Sequence, residues 1–337
     1  MRKKILIPAV LMLVLAIVYR FFSFSPELVG FSGPTMGTTY TVKFYTTPDT
    51  ENSWGLKSDV DAVLARVNSL MSTYDPSSEL SRFNKLPAGE KVDVSKDLAY
   101  VVDQALLISE MSDGLYDVTI GPLVNLWGFG PGKSKDQIPS QADINAAKAK
   151  IGYQYLQLDN QSLKKEKNIY VDLSSIAKGY GVDEVSRVLE VNGIESYLVE
   201  IGGEIFTKGK KPDGTLWKVA IESPAGGHEV VNRVIELEGG AVATSGDYRN
   251  YFEKNGVRYS HTINPKTGKP INHRLVSVTV IDKTTTMADG LSTAITVLGP
   301  DKGLAFAQRN GIAAYLLVKN DFGFEERSSD AFQAYLN

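Results

Sequence analysis

The sequence contains no cysteine and only three histidines, His228, His261 and His273. Without cysteine, the chain can form no disulfide bond, no thiolate nucleophile and no cysteine-ligated metal site. So few histidines also disfavour a zinc site built from several imidazoles. A cysteine for lipid attachment is missing as well, so any membrane attachment must use another part of the chain.

The chain also lacks a basic stripe. Its 36 Lys and Arg residues are balanced by 39 Asp and Glu residues, which gives a net charge of -3. Because phosphate backbones are bound by clustered Lys and Arg, we expect no nucleic-acid partner. No low-complexity tract interrupts the 337 residues, of which 43% are hydrophobic. This composition predicts an ordered globular protein of one large domain or two ordinary ones.

A long apolar run occurs at the N-terminus. Arg2, Lys3 and Lys4 precede an apolar stretch over residues 5–18, a pattern typical of an export signal. Extended to Phe24, the stretch reaches the roughly 20 residues that span a bilayer, provided that Arg20 snorkels. We predict a membrane anchor or, second, a cleaved signal over residues 1–24, and a linker over residues 25–34; an N-terminal core helix is a third alternative. The positive-inside rule places the globular part outside the cytoplasm.

Strand-like and helix-like segments are mixed along the rest of the chain. Residues 38–46 alternate between apolar and polar side chains, as in a half-buried strand, whereas residues 58–71 have the apolar spacing of a helix. Strands cluster, and helices are dispersed among them without a regular strand–helix alternation. This arrangement predicts an α+β fold with mixed sheets rather than a doubly wound parallel sheet.

A carboxylate and a hydroxyl lie four residues apart at Asp289 and Thr293, inside a helix predicted over residues 289–298. Positions i and i+4 share a helix face, so the two side chains can converge on one point. Two hard oxygens at one point suit Mg²⁺. The alternative is that Asp289 only caps the start of its helix.

The strand–helix junction at residues 171–180 places polar side chains where backbone N–H groups are free. Asp172, Ser174 and Ser175 precede the helix, which is a position for an anion or polar ligand. Lys178 lies in the first turn, where a cation opposes the helix dipole, and this indicates a negatively charged ligand. An ordinary serine cap with a solvated lysine is the alternative.

Three further segments carry polar or aromatic groups. Residues 202–204 (GGE) favour a tight turn over a ligand-binding loop. Tyr74, at a helix-to-loop junction, is suited to stacking on a flat ring or to simple packing. His261 ends a strand and is a potential general base, although a structural role is the alternative. Asp247 and Arg249 are possible partners for it or for phosphate.

Together and in this order, these segments resemble the ApbE-type FAD:protein FMN transferases. The resemblance runs from about residue 35 to about residue 299. Many members of that family carry a lipid-modified cysteine, which this chain lacks, so the resemblance leaves the mode of anchoring open. The matching motifs are residues 35–38 (TMGT), 71–84 (MSTYDPSSELSRFN), 116–130 (YDVTIGPLVNLWGFG), 171–180 (VDLSSIAKGY), 201–203 (IGG), 243–251 (ATSGDYRNY), 261–270 (HTINPKTGKP) and 287–293 (MADGLST).

The resemblance implies a T-fold-like domain over residues 35–337 and a Mg²⁺-dependent transfer. FMN would pass from FAD to a Thr or Ser hydroxyl of an acceptor protein, and AMP would leave. Acceptors would be flavoprotein subunits of membrane redox complexes, and the enzyme would lie on the periplasmic side of the inner membrane.

The resemblance also implies roles for individual residues. The Mg²⁺ ligands would be Asp289 and Thr293, with a hydroxyl or carbonyl oxygen from the junction at Ser175 and Ala177. His261 would accept the proton of the attacking hydroxyl, with Asp289 as a competing base. The FAD site would be lined by Met36, Tyr74, Leu115, Tyr116, Asp117, Asp172, Lys178 and, less securely, Ile263.

Two other functions fit part of the pattern. Hydrolysis of FAD to FMN and AMP would use the same site with water as the acceptor. A periplasmic flavin-binding protein without turnover would need no metal for phosphoryl transfer, so the set Asp289, Thr293 and Lys178 argues against it. A role in thiamine synthesis is required by none of these residues.

Overall fold

The computed structural model describes residues 25–47, 50, 55–130, 138–222, 231–246, 251–254 and 256–336. The predicted anchor or signal at residues 1–24 lies outside these ranges. Among the described helices, none combines the length and the apolar character needed to cross a membrane.

Eight α-helices and two short 3-10 helices lie within the described residues. They are α1 (Leu56–Met71), α2 (Glu79–Lys85), α3 (Lys96–Met111), α4 (Gly121–Leu126), α5 (Gln141–Lys148), α6 (Ala177–Val191), α7 (Thr285–Leu298) and α8 (Pro300–Arg309), with short 3-10 helices at Tyr153–Tyr155 and Asp330–Tyr335.

The described strands are β1 (Leu28–Thr35), β2 (Thr38–Tyr45), β3 (Lys91–Asp93), β4 (Leu156–Asp159), β5 (Ser162–Lys165), β6 (Tyr197–Ile201), β7 (Glu204–Lys208), β8 (Trp217–Glu222), β9 (Val231–Leu237), β10 (Gly239–Gly246), β11 (Tyr251–Lys254), β12 (Val257–Ser260), β13 (Ile263–Asn264), β14 (Lys269–Pro270), β15 (Leu275–Asp282), β16 (Ala313–Asn320) and β17 (Gly323–Ser328). An eight-stranded sheet has the order β1-β2-β6-β7-β10-β15-β16-β17, and all of its neighbours pair antiparallel. Smaller sheets are β3-β5-β4, β8-β9, β11-β12 and β13-β14.

Side chains alternate between the two faces of a strand, and the central strand β10 packs against a different apolar cluster on each face. On β10, Ala241 and Ala243 join the helical core, which includes residues of α3, α7 and α8. Val242 points the other way and packs against the β8–β9 hairpin and the C-terminal Phe332. The predicted α+β class with dispersed helices is confirmed.

The predicted linker over residues 25–34 is wrong for most of its length. β1 begins at Leu28 and pairs with β2 from Leu28↔Tyr45 to Thr35↔Thr38. The predicted segment contains two glycines and two prolines, a composition typical of a linker. An edge strand tolerates these residues because one of its sides has no neighbouring strand, so a proline N atom on that side costs the sheet no hydrogen bond.

Candidate active site

A cavity of about 660 Å³ lies beside the turn between β6 and β7 and the end of β10. Its volume is in the ordinary range for a cofactor-sized ligand. The start of α6 and one side of α7 close it from the helical layer. The predicted site residues that line it are Tyr74, Leu115, Tyr116, Asp117, Asp172, Ser175, Lys178, His261, Ile263, Asp289 and Thr293.

The two helices that carry the charged groups cap each other. The carboxylate of Asp183, on α6, accepts the N–H groups of Thr285 and Thr286 at the start of α7, at 2.8 and 2.9 Å. In return, Asp289 Oδ2, on α7, accepts the N–H of Gly179 at 3.0 Å, in the first turn of α6. Each carboxylate satisfies free donors at a positive helix end, so the pair fixes α6 against α7.

Gly179 is required where the two helices meet. A Cβ atom at this position would lie 2.2 Å from the carbonyl oxygen of Thr285. Such a contact is far inside van der Waals range, so a side chain here would push the helices apart. The glycine therefore lets Asp289 reach the first turn of α6.

The alternative in which Asp289 caps its own helix is wrong. α7 begins at Thr285, four residues before Asp289, and its N-cap is Thr284, whose hydroxyl accepts the N–H of Met287 at 3.3 Å. Asp289 lies in the second turn and is 2% exposed. Its carboxylate is free to serve α6 and the cavity.

Three charged groups meet at the cavity wall. Lys178 Nζ lies 2.8 Å from Glu204 Oε1 and 3.6 Å from Asp289 Oδ1. Both carboxylates are buried, whereas the lysine side chain is 28% exposed. One ammonium group and two carboxyl groups therefore meet at one point of the cavity wall.

The pKa values of Lys178 and Glu204 are both raised. Burial alone would lower the pKa of Lys178, but the charges of Asp289 and Glu204 more than offset it and raise this pKa above its ordinary value. Burial raises the pKa of Glu204 to about 8, although Lys178 opposes the shift. Lys178 is therefore a firmly held cation.

Hydroxyl groups extend the polar wall beyond the carboxylates. Ser245, near the end of β10, has its Oγ 3.2 Å from Thr293 Oγ1 and 2.7 Å from Ser292 Oγ. Across the cavity, Ser175 donates a hydrogen bond of 2.9 Å to the buried phenol of Tyr116. Burial raises the pKa of Tyr116, so its phenol stays neutral.

Two predicted FAD-binding carboxylates are partly engaged within the protein. Asp117 Oδ1 accepts both the N–H and the hydroxyl of Thr119, and Oδ2 accepts the N–H of Tyr153. Asp172 Oδ1 accepts the N–H of Ser174 at 2.9 Å, which shapes the entry to α6. Both residues line the cavity, and these bonds fix the loops around it.

His261 follows β12 directly and is half-buried in the cavity lining. Its ring meets Phe129 edge-on, with the ring centroids 6.3 Å apart. Ile263, two residues later, packs in a small apolar cluster with Leu123 and Trp127. The proposed histidine partners Asp247 and Arg249 lie outside the described residues.

Tyr74 is 67% exposed and contributes to the cavity lining, as expected for a ring that a ligand could cover. Met36 and Ala177 are not in the lining. Met36 sits in the β1–β2 turn with a φ of 47° and packs against the main core clusters. Ala177 is the first residue of α6, next to Lys178.

Sequence reasoning missed several groups that shape the cavity. The sequence favoured a tight turn over a ligand-binding loop for residues 202–204, but Glu204 is the first residue of β7 and lies in the cavity wall. Gly202 and Gly203, with φ of 59° and 105°, form that turn between β6 and β7. The sequence feature that could have indicated Glu204 as a cavity residue is a charged side chain directly after two glycines in a buried hairpin. Asn84 was also missed; its amide makes two hydrogen bonds to the backbone of Val171.

Carboxylates supply only part of the ligand set that a hard divalent cation would need in this cavity. Within the described ranges, no three His, Asp or Glu side chains converge as metal ligands. Asp289 Oδ1 is available because Lys178 Nζ, at 3.6 Å, is beyond hydrogen-bond range. A Mg²⁺ ion accepts few protein ligands and completes its shell with ligand oxygens or water, so this set is compatible with Mg²⁺.

A polar cavity in which a lysine lies between two buried carboxylates is typical of an enzyme active site. Residues 36–316 match the ApbE family, and the chain belongs to this family.

The similarity to named relatives covers nearly the whole chain. The chain is 48% identical over 312 residues to the FAD:protein FMN transferase of Vibrio cholerae serotype O1, covering 92% of this chain and 93% of the relative. Its structure is similar to the flavin transferase ApbE from Vibrio cholerae, with a TM-score of 0.87, 47% identity, and coverage of 93% of this chain and 100% of that one. The Pseudomonas stutzeri flavinyl transferase ApbE, apo form, also has a TM-score of 0.87 and 47% identity, covering 93% and 98%.

Proposed function

We propose that the protein is an FAD:protein FMN transferase. It moves FMN from FAD to a Thr or Ser hydroxyl of an acceptor flavoprotein and releases AMP. The observation that supports this most is the meeting of Lys178, Asp289 and Thr293 in one cavity with His261, in a chain of the ApbE family.

Lys178 and the start of α6 bind the pyrophosphate of FAD. The lysine is held as a cation at the cavity wall, and the positive end of the 15-residue helix α6 adds to its field. Phosphoryl transfer depends on positioning and on neutralising the charge of the transferred group, so a fixed cation is of direct use.

His261 takes the proton of the attacking hydroxyl. The hydroxyl oxygen of the acceptor forms a bond to the FMN phosphorus, and the bond from that phosphorus to the bridging oxygen breaks. The bridging oxygen leaves with AMP, and the hydroxyl proton passes to the imidazole. The half-buried position of His261 in the cavity lining suits this role.

Asp289 Oδ1 and Thr293 Oγ1 would hold Mg²⁺, with an oxygen from the junction at Ser175 and Ala177. When bound, Mg²⁺ supplies charge neutralisation at the pyrophosphate. Ser245 holds the Thr293 hydroxyl in place through its contact of 3.2 Å, and the N–H of Gly179 fixes the Asp289 carboxylate.

The flavin and its linker lie against the remaining predicted residues. Tyr74 covers the ring from the exposed side, and Ile263 offers an apolar surface. Leu115, Tyr116 and Asp117 form the facing wall. Asp172 shapes the floor, and Met36 supports the wall from behind by packing on α6.

The proposed location is the periplasmic face of the inner membrane. The proposal rests on the charged and apolar pattern of residues 1–24. The acceptors proposed are flavoprotein subunits of membrane redox complexes, which would present their hydroxyl to the exposed mouth of the cavity near Tyr74.

Measuring AMP with and without an acceptor tests the proposal. The protein is incubated with FAD and Mg²⁺, first alone and then with a candidate acceptor domain. A transferase releases AMP only slowly until the acceptor is added, and then in step with FMN attachment. Fast AMP release without acceptor would indicate an FAD hydrolase, and no AMP under either condition would indicate a flavin-binding protein.

A further inference from the structure

Lys178 lies between two buried carboxylates at unequal distances. Its Nζ makes a charge-assisted hydrogen bond of 2.8 Å to Glu204 Oε1, whereas Asp289 Oδ1 is 3.6 Å away. The other oxygen of Asp289, Oδ2, already accepts the N–H of Gly179. Oδ1 is therefore the Asp289 oxygen left for a cation, and Lys178 stands next to it.

The buried position of the Glu204 carboxylate is energetically unfavourable. The residue is 4% exposed, and its Oε2 has no hydrogen-bond partner among the described atoms. A buried carboxylate oxygen without a partner destabilises the folded state. Since Glu204 caps no helix, its contact with Lys178 is the feature that offsets this cost.

The turn before Glu204 sets the position of its carboxylate. Gly202 and Gly203 adopt positive φ angles that favour glycine, and Glu204 then pairs with Ile201 across the hairpin. A Cβ atom at Gly202 would lie 3.4 Å from Lys178 Cδ. The lysine stem therefore lies along the turn, with its end group drawn to Glu204.

Without Glu204, the lysine has a short path to Asp289. The contact would need to shorten from 3.6 to about 2.8 Å, the length of the present bond to Glu204. A lysine side chain on four methylene groups makes such a movement easily. The resulting ion pair would occupy Oδ1 and compete with a divalent cation.

We propose that Glu204 is a positioning residue that holds Lys178 away from Asp289 and so keeps Asp289 open to a divalent cation. This inference rests on the proposed function, because the cation is the Mg²⁺ of the transfer reaction. In this role Glu204 is not itself a ligand of the cation. It acts through the lysine.

The test is calorimetric titration of Mg²⁺ into the full-length protein at pH 8.5, which lies above the raised pKa of Glu204. We expect Glu204→Gln to bind Mg²⁺ about 10–100-fold more weakly than wild type, the usual cost of losing an outer-sphere partner. Glu204→Asp keeps the charge but withdraws the carboxylate from Lys178, and it should lose a similar factor. Wild-type affinity in Glu204→Asp would show that only the charge matters and would overturn the positioning role.

Three controls isolate the role of the lysine. In a Lys178→Met background, Glu204→Gln should change Mg²⁺ affinity less than about threefold, because the two residues act as a coupled pair. Glu190→Gln removes a carboxylate that pairs with Lys208 at 2.7 Å outside the cavity lining, and it should have an equally small effect. Asp289→Asn should abolish binding.

A crystal structure of Glu204→Gln without metal gives a second readout. The distance from Lys178 Nζ to Asp289 Oδ1 should fall below 3.0 Å, within the range of a direct ion pair. An unchanged distance would overturn the inference. If wild type itself fails to bind Mg²⁺, the proposed metal dependence fails; if wild type binds and Glu204→Gln binds equally well, only the role of Glu204 fails.

Discussion

At the scale of single residues, the site depends on carboxylates whose positions are set by hydrogen bonds from distant parts of the chain. Asp289 is held by the backbone of α6, 110 residues earlier in the sequence. The spacing of Asp289 and Thr293 predicted a shared helix face, and both line the cavity. The spacing did not predict that Asp289 would contact Gly179 and lie beside Lys178.

Asp289→Asn should lower the rate of FMN transfer by at least about a hundredfold, more than the loss of an outer-sphere group. The amide oxygen can still accept the N–H of Gly179, so the melting temperature should stay close to that of wild type. Initial rates of flavin transfer and thermal unfolding measure the two effects. A variant that unfolds early would show that Asp289 is chiefly structural.

His261→Ala should lower the rate of transfer by about 10²–10⁴-fold, the usual contribution of a general base. Because the imidazole is proposed to move a proton rather than to bind FAD, the KM for FAD should change little. Steady-state kinetics with a fixed acceptor separate kcat from KM. Full transfer by His261→Ala alongside loss in Asp289→Asn would move the base to another residue.

Glu204 should make folding stability depend on pH. Its folded-state pKa is raised from 4.5 to about 8, so the folded state binds more protons than the unfolded state between these values. The free energy of unfolding of wild type should therefore contain a contribution that falls as pH rises from about 4.5 to 8. Glu204→Gln lacks this contribution and should gain stability relative to wild type across that window.

Urea denaturation of both proteins at pH 5 and pH 8.5 measures the difference. The gain of Glu204→Gln over wild type should be larger at pH 8.5. A gain that shrinks toward high pH would have the wrong sign and would contradict the raised pKa.

At the scale of elements, the reciprocal caps between α6 and α7 determine the shape of the site. Asp183 binds two backbone N–H groups of α7 and also accepts the Thr286 hydroxyl at 2.5 Å. It lies in the middle of α6, where sequence spacing cannot distinguish it from an exposed polar residue. Its partners are more than 100 residues away, beyond the reach of local sequence patterns.

Asp183→Ala should lower the free energy of unfolding by about 2–4 kcal/mol, because buried donors at the start of α7 lose an ionised acceptor. It should also weaken Mg²⁺ binding, since α7 carries Asp289 and Thr293. Chemical denaturation and Mg²⁺ titration test both effects. As a control, Asp59→Asn alters an exposed first-turn carboxylate of α1 and should cost less than about 1 kcal/mol.

Gly179→Ala should destabilise the protein by about 1–3 kcal/mol, the usual cost of overpacking. The added methyl group would meet the Thr285 carbonyl at 2.2 Å. Gly55→Ala is the matched control, because a Cβ there has its nearest atom at 4.0 Å. Equal stability of the two variants in guanidinium denaturation would contradict a tight crossing of α6 and α7.

At the scale of the whole molecule, the sequence was sufficient to predict the α+β class but not the order of the strands. Alternation over residues 38–46 identified β2 because one of its faces is buried. β1 was missed because its exposed edge position leaves a weak hydrophobic pattern. The pairing of β10 with both β7 and β15 joins distant segments, and no local rule predicts such contacts.

The cavity itself arises at this scale. β10 extends past the turn between β6 and β7, so Ser245 and this turn form two adjoining walls of the cavity. α6 and α7 close the cavity on the side of the helices. The individual motifs predicted which residues carry chemistry, and the antiparallel register of the large sheet brings them together.

The central claim is that this cavity attaches FMN to an acceptor protein. Intact-mass spectrometry of a candidate acceptor, after incubation with the enzyme, FAD and Mg²⁺, tests it most directly. We predict a mass gain equal to one FMN in phosphoester linkage, located on a Thr or Ser by fragmentation, and no gain with Asp289→Asn. Accumulation of free FMN and AMP, with the acceptor mass unchanged across plausible acceptors, would contradict it.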